Sequence, residues 1–298
     1  MNNPSPSDSI QADSPSQSEQ LSPSLVIKRD QLVEMIRNVE SCVVAFSGGV
    51  DSAVVAKAAA LALGEQAIAV TASSASLAGG ELEQATELAR QIGIRHEVLY
   101  TEEFDSPAYR QNAKDRCYHC KSELYRQLEN RLDEYKVKTM LAGANADDVG
   151  DYRPGMQAAS ERNVRNPLLE CRITKQEVRD LAFAWNLPVW NKPATPCLSS
   201  RVAYGLEVTP ERLKRIDQAE QYLREQGFPI VRVRCHPGEL ARIEIPGKEL
   251  PRLLEENLIQ EVSRELKALG FSFVTLDLEG FRSGSMNKMH SLTLPILQ

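Results

Sequence analysis

The sequence has no long apolar run. The longest, residues 53–63, is interrupted by Lys57 and falls well short of the roughly 20 residues that a membrane helix needs. An excess of basic charge is missing too: 35 Lys plus Arg stand against 41 Asp plus Glu, a formal net charge of −6 with histidine neutral. Non-specific affinity for nucleic acid comes from neutralising phosphates, so this balance argues against a nucleic-acid partner. The N-terminus shows no basic stretch followed by an apolar one, the pattern of a secretory signal. These absences together predict a cytoplasmic protein with no membrane partner. Residues 1–24 lack large side chains, with eight serines, four prolines and only Met1, Ile10 and Leu21 to bury. Such a segment does not offset its ordering entropy and is expected to be a disordered tail. No repeat of solenoid or propeller period is present.

What remains is globular in composition. The 298 residues are 42% hydrophobic and 26% charged, enough for one large or two ordinary domains. Strand patterns at 41–46, 66–71, 96–100 and 139–143 alternate with helical ones at 51–63, 81–92 and 122–135. A capping box, Thr174-x-x-Glu177, opens a further helix. This alternation predicts an α/β fold, a doubly wound parallel sheet covered on both faces, over residues 25–205. The pattern then changes. Thr209-Pro210-Glu211 starts a helix, strands at 230–235 and 241–245 follow, then a helix at 250–269 and a strand at 272–278. Residues 206–298 are therefore expected to form a small α+β domain for substrate binding or oligomerisation.

The chemistry is concentrated directly after the first strand, in Ser47-Gly48-Gly49-Val50-Asp51-Ser52. Glycines at a strand-to-helix turn allow close backbone approach, and free N–H groups with the helix dipole favour an anion. The turn lacks the GxxxxGK[ST] spacing and the lysine of a Walker P-loop, which argues against γ-phosphate transfer.

SGGVDS resembles the signature of the PP-loop ATP pyrophosphatases, which bind ATP, release pyrophosphate and adenylate a substrate. The resemblance implies that Ser47, Gly48, Gly49 and Ser52 hold the pyrophosphate part of ATP and that Asp51 takes a catalytic role with Mg2+. It also implies that Thr71, Ala72 and Ser74, at the end of the second strand, flank the adenosine. Further motifs narrow it: Asp151-Tyr152-Arg153-Pro154-Gly155, Trp190-Asn191-Lys192-Pro193, Cys197-Leu198-Ser199-Ser200-Arg201, Val231-Arg232-Val233-Arg234 and Gly280-Phe281-Arg282-Ser283-Gly284. Together these resemble the LarE family over residues 25–287. That family consists of sulfur transferases that make the nickel-pincer cofactor of lactate racemase, and its members suggest a homo-oligomer. Its substrate is pyridinium-3,5-biscarboxylate mononucleotide. ATP adenylates a carboxylate, and a sulfur nucleophile then displaces AMP to give a thiocarboxylate.

Two sulfur sources stand open. Cys197 lies four residues before Arg201, a cation able to lower a thiol pKa, and in some family members a cysteine in this segment surrenders its own sulfur. The chain also has Cys117-Tyr118-His119-Cys120, which by itself reads as a redox pair or half a zinc site. Resemblance to a cluster-containing branch of the family implies a 4Fe-4S cluster on Cys117, Cys120 and Cys197, with one iron left open for a sulfide from an external donor. We take the cluster as the leading expectation. Cys42, Cys171 and Cys235 read as core.

Period-2 alternation in 231–234 sends the valines to one face and Arg232 and Arg234 to the other, with Arg242 joining them if the strands pair. Three arginines are then expected to crowd one exposed face. Their forks suit phosphate, and the resemblance makes Arg232, Arg234, Ser200, Arg201, Asp151 and Arg153 the substrate site. Asp147 and Asp148 could hold magnesium or simply form a turn. Glu220 reads as a surface residue of its helix, and His96, His236 and His290 show no partner. A PP-loop transfer-RNA thiolase and a non-catalytic nucleotide-binding assembly protein are the competing functions.

Overall fold

The computed structural model describes residues 21–149 and 154–282. Helix α1 (Pro23–Arg37) starts on Ser22, whose hydroxyl accepts the Leu25 N–H, with Pro23 in the first turn where its missing donor is not needed. The helix thus takes in Pro23 and Ser24, which composition alone assigns to the tail. Next come β1 (Cys42–Ala45), α2 (Val50–Leu63), β2 (Ala67–Ser73), α3 (Glu81–Ile92), β3 (Arg95–Tyr100), α4 (Pro107–Arg110) and α5 (Arg116–Glu129). The short α6 (Leu132–Tyr135) leads into β4 (Thr139–Leu141), followed by α7 (Pro154–Glu161), α8 (Pro167–Glu170) and α9 (Lys175–Ala184).

These four strands form an all-parallel sheet in the order β3-β2-β1-β4, the expected α/β architecture. Alternate residues of the strands feed two cores. Val44 and Ala69 pack with α1, α2, α3 and α9 on one face, and Val43, Ile68 and Val70 pack with α5 and α7 on the other. The chain leaves β1 towards β2 and later returns on the opposite side to form β4. In such sheets the reversal opens a crevice at the carboxyl ends of the two strands, where ligands bind. The PP-loop sits there.

The helix expected at 122–135 begins earlier and ends sooner. It starts at Arg116, where the Asp115 carbonyl accepts the Tyr118 N–H, and it stops at Asn130. Cys-Tyr-His are weak helix formers, which hides this first turn from a propensity reading. Cys117 and Cys120 therefore lie on one helical turn.

The second sheet follows α10 (Pro210–Glu225), whose N-cap Thr209 accepts the Arg212 N–H. It contains β5 (Arg232–His236), antiparallel to β6 (Leu240–Glu244). Beyond them α11 (Leu250–Leu253) and α12 (Glu256–Ala268) replace the single helix expected at 250–269, and β7 (Phe273–Leu276) pairs parallel to β6. The core of this half also takes in Ala78, Tyr109, Leu198 and Val202, and Val202 forms a bridge with Cys235. Among the described residues no helix is long and apolar enough to cross a membrane.

Candidate active site

The SGGVDS turn is held by its own hydroxyls. Ser52 Oγ donates to the Gly49 carbonyl at 3.0 Å, accepts the Ser47 N–H at 3.2 Å and lies 3.2 Å from Ser47 Oγ. Gly48 has φ +69°, and a Cβ there would stand 3.1 Å from Ala85 Cβ on α3, so both backbone conformation and space require glycine. Gly49 is the N-cap of α2 and supplies no side-chain cap, which leaves the amino end of the helix open to an anion. Gly143, just past β4, is equally constrained. A Cβ on it would meet the Ser52 nitrogen at 3.0 Å, so α2 can press against β4 only if this residue is glycine.

A cavity of about 830 Å³ opens at this point. Its walls include Ser47, Asp51 and Ser52 from the turn, Ala142, Gly143 and Ala144 just after β4, Lys114 just before α5, and Cys117 and Lys121 from the first turns of α5; Pro196 and Tyr204 also line it. Asp51 Oδ1 accepts Asn145 Nδ2 at 3.0 Å, and Oδ2 is paired with Lys175 Nζ. Both oxygens of this carboxylate are therefore engaged, and a magnesium ion at this position would share or displace the Lys175 contact. Asp147 and Asp148 are used as turn residues: Asp147 Oδ2 accepts the Lys175 N–H at 2.8 Å and Asp148 closes a capping box on Asn145.

The three cysteines are brought into one neighbourhood. Cys117 and Cys197 are exposed and Cys120 is half-buried. Burial pushes the Cys120 thiol up to about 12, and an ionised Cys197 or Cys117 would push it further the same way. Among the described residues no three His, Cys, Asp or Glu side chains are placed around a single metal ion. A cubane takes each thiolate on a different iron, so its ligands stand further apart than those of one ion, and three soft sulfur donors are the right chemistry for it. The donor set fits the cluster. The cation beside these sulfurs differs from the expected one. Arg201 reaches Cys197 only at its backbone carbonyl, 3.0 Å away, whereas the Arg116 guanidinium sits where ionised Cys197 and Cys117 would both act on it.

The arginine face is corrected in one respect. β5 and β6 do pair, with Arg234 opposite Arg242, but Arg232 and Arg234 are 8% and 6% exposed and Arg201 is fully buried. The segment 194–202 lies across them, with the Ala194 and Ser200 carbonyls accepting from Arg232 and Arg234. Arg234 is paired with Glu244 at 2.8 Å. Arg201 is paired with Glu220 at 3.0 Å, and both are fully buried, so Glu220 is no surface residue. The Arg201 fork also donates to the carbonyls of Pro196 and Cys197 and to Ser200 Oγ. Arg232 has no carboxylate within ion-pair distance among the described residues, and burial followed by the nearby Arg201 charge lowers it to about 10. It is the arginine of this face that most needs an anion.

Thr71, Ala72 and Ser74 lie at the end of β2, outside the walls of the cavity. Thr71 is buried and its hydroxyl lies 2.8 Å from His96 Nε2, a partner the sequence pattern had not supplied. Ser74 donates to the buried Glu103. Asp151, Arg153 and His290 lie outside the described residues. Lys114, Lys121, Asn145, Lys175 and Arg116 were not singled out, although Arg116 and Lys121 directly flank the Cys117–Cys120 pair and Lys175 opens the helix of the Thr174 capping box, signals that could have found them.

The profile of the NAD synthase family matches residues 28–128, the stretch that carries the PP-loop. An uncharacterized protein of Synechocystis sp., slr1717, is 45% identical over 88% of this chain and 97% of its own length. The pyridinium-3,5-bisthiocarboxylic acid mononucleotide synthase of Lactiplantibacillus plantarum is 38% identical over 88% of this chain and 95% of its own. An uncharacterized protein of Methanocaldococcus jannaschii, MJ0830, is 27% identical over 87% of this chain and 97% of its own length. With the PP-loop at the mouth of a parallel sheet and end-to-end similarity to the synthase, the chain belongs to the LarE family of PP-loop, ATP-dependent sulfurtransferases.

Proposed function

We propose that this enzyme adenylates a carboxylate of pyridinium-3,5-biscarboxylate mononucleotide and replaces the AMP with sulfur, the sulfur being delivered at a 4Fe-4S cluster on Cys117, Cys120 and Cys197. The observation that carries this reading is the shared cavity, in which the PP-loop residues Ser47, Asp51 and Ser52 and the thiol-bearing Cys117 line one space of about 830 Å³. A free carboxylate is a poor electrophile. Its oxygen attacks the α-phosphorus of ATP, the bond to the β-phosphate breaks, and pyrophosphate leaves with Ser47, Gly48, Gly49 and Ser52 around it. Thr71, Ala72 and Ser74 face the adenosine in this reading. Asp51 would hold magnesium, which screens the phosphate charge. Lys114 and Lys121 add two cations to the walls of the same cavity. In the second step sulfur attacks the acyl carbon, and the bond to AMP breaks with its electron pair going to the phosphate.

When bound, the cluster supplies an exchangeable sulfide as the nucleophile, with the three thiolates anchoring it. Arg232 and Arg234 take the phosphate of the substrate. Ser200 and Arg201 shape the segment 194–202 above them, and Asp151 and Arg153 complete the substrate site. A second reading is favoured by the exposure of Cys197: the same adenylate accepts the Cys197 sulfur itself. The test is an anaerobic reaction of the iron-reconstituted protein with ATP, Mg2+, the dicarboxylate mononucleotide and sulfide. Several thiocarboxylates per chain, with Cys197 intact by mass spectrometry, are the expected result. At most one product per chain, with a protein lighter by one molecule of hydrogen sulfide, establishes the second reading. ATP binding with no pyrophosphate released would leave a non-catalytic assembly protein.

A further inference from the structure

Arg116, the first residue of α5, is 5% exposed. Its guanidinium donates to Asn112 Oδ1 and, at 2.7 Å, to the Ser199 carbonyl, and it lies 6.0 Å from the centre of the Tyr204 ring. All of these partners are neutral. Among the described residues no carboxylate pairs with it, which sets it apart from the buried Arg201 and Arg234. A buried cation is tolerated when an anion lies beside it. Arg116 directly precedes Cys117 in the chain, and its bond to the Ser199 carbonyl ties it to the segment that carries Cys197. The partner this arginine lacks is therefore at the cysteine site.

We infer that Arg116 is the fixed counter-ion of the sulfur site, a positioning residue whose charge offsets the anionic cluster held by Cys117, Cys120 and Cys197. The inference rests on the cluster reading above. Three thiolates outweigh the positive charge of a cubane core, and a sulfide on the open iron adds to the excess. A buried guanidinium on one side of the site offsets that charge and favours a further electron. Its two hydrogen bonds fix it in place: Ser199 is in the segment that carries Cys197, and Asn112 Nδ2 donates to the Ala203 and Leu206 carbonyls at 2.9 and 3.0 Å. The charge is thus anchored to both elements that supply thiols.

The experiment compares the reconstituted parent with Arg116→Gln, Arg116→Lys and Asn112→Ala. The readouts are the midpoint potential of the cluster, followed by EPR, and the rate of iron loss to a chelator. Arg116→Gln should have a lower potential and lose iron about 10- to 100-fold faster, the range for removing a residue that supports metal ligands. Arg116→Lys should keep the potential of the parent. Asn112→Ala breaks the anchoring bonds but keeps the charge, so it should lower the melting temperature and leave the potential unmoved. A cluster-bearing parent whose potential and iron loss are unchanged in Arg116→Gln overturns the counter-ion and spares the cluster. A parent without iron overturns the cluster reading and this inference with it. Should Arg116→Gln not fold, a folded Arg116→Lys with a displaced potential refutes the role of charge.

Discussion

Replacing Glu220 tests whether the 194–202 segment is fastened from below by a buried ion pair. Both partners are fully buried. Glu220 Oε1 accepts Arg201 Nε at 3.0 Å and the Val233 N–H at 3.1 Å, and Oε2 accepts Arg224 Nη2 at 2.7 Å. Glu220→Ala strands the Arg201 charge, and breaking a buried pair by removing one partner costs about 3–5 kcal/mol. It also leaves the Val233 N–H without an acceptor, an overlapping loss because both bonds end on Oε1. Glu220→Gln keeps a neutral acceptor for that N–H and should recover about 1–3 kcal/mol. At roughly 2–4 °C per kcal/mol for a domain of this size, Glu220→Ala should melt about 6–20 °C below the parent. Calorimetry and urea unfolding read the loss. A deficit under about 1 kcal/mol, the value of an exposed pair, would refute the reasoning.

Further outcomes follow from individual groups. In iron-free protein, iodoacetamide at pH 8 should label Cys117 and Cys197 and spare Cys42, Cys120 and Cys235, whose thiols burial holds up at about 12, 12 and 11; peptide mass spectrometry gives the answer, and early labelling of Cys120 contradicts it. Gly48→Ala should lose about 1–2 kcal/mol from its left-handed conformation alone and, with Cβ against Ala85, release pyrophosphate poorly; an active, equally stable variant shows that the turn is not so constrained. Burial holds His96 below its ordinary pKa, so the folded state binds fewer protons there than the unfolded one. Stability from this group is present above about pH 6.5 and is lost as pH falls through the folded pKa; His96→Gln should flatten that part of the pH–stability curve, and an unchanged slope assigns it to other groups.

Much of the first half was legible because its information is local. A valine-rich strand, two glycines, a first-turn aspartate and an alanine-rich helix specify the PP-loop without help from elsewhere, and Thr174-x-x-Glu177 announced its helix in the same way. The arginine face was half legible. Alternation assigned the valines and arginines of 231–234 to opposite faces, but nothing in that stretch says that a segment some thirty residues earlier lies across it and that Glu220 and Glu244 supply buried partners. Still longer separations, 124 residues between Asp51 and Lys175 and 81 between Arg116 and Cys197, hid those neighbours. Sequence proximity made Arg201 the obvious cation for Cys197, yet its fork turns towards Glu220 and main-chain carbonyls.

The segment 194–206 joins these observations. It supplies Cys197 near the cavity, sends Leu198 and Val202 into the second core, and bridges to β5 at Cys235. Its backbone carbonyls are taken up by arginines from both sides: Arg116 from α5 holds Ser199, Arg201 holds Pro196 and Cys197, and Arg234 from β5 holds Ser200. An irregular segment has no ladder to satisfy its carbonyls, and buried acceptors must find donors. Charged forks meet that need more strongly than neutral donors do. Their positive charge then stays along the segment, partly balanced by Glu220 and Glu244 and unbalanced at Arg116 and Arg232. On the proposed reading these two cations face the two anions of the reaction, sulfur on the α5 side and the substrate phosphate on the β5 side. An enzyme that must bring an anionic nucleotide to an anionic sulfur needs such separation, because without cations between them the two reactants repel each other.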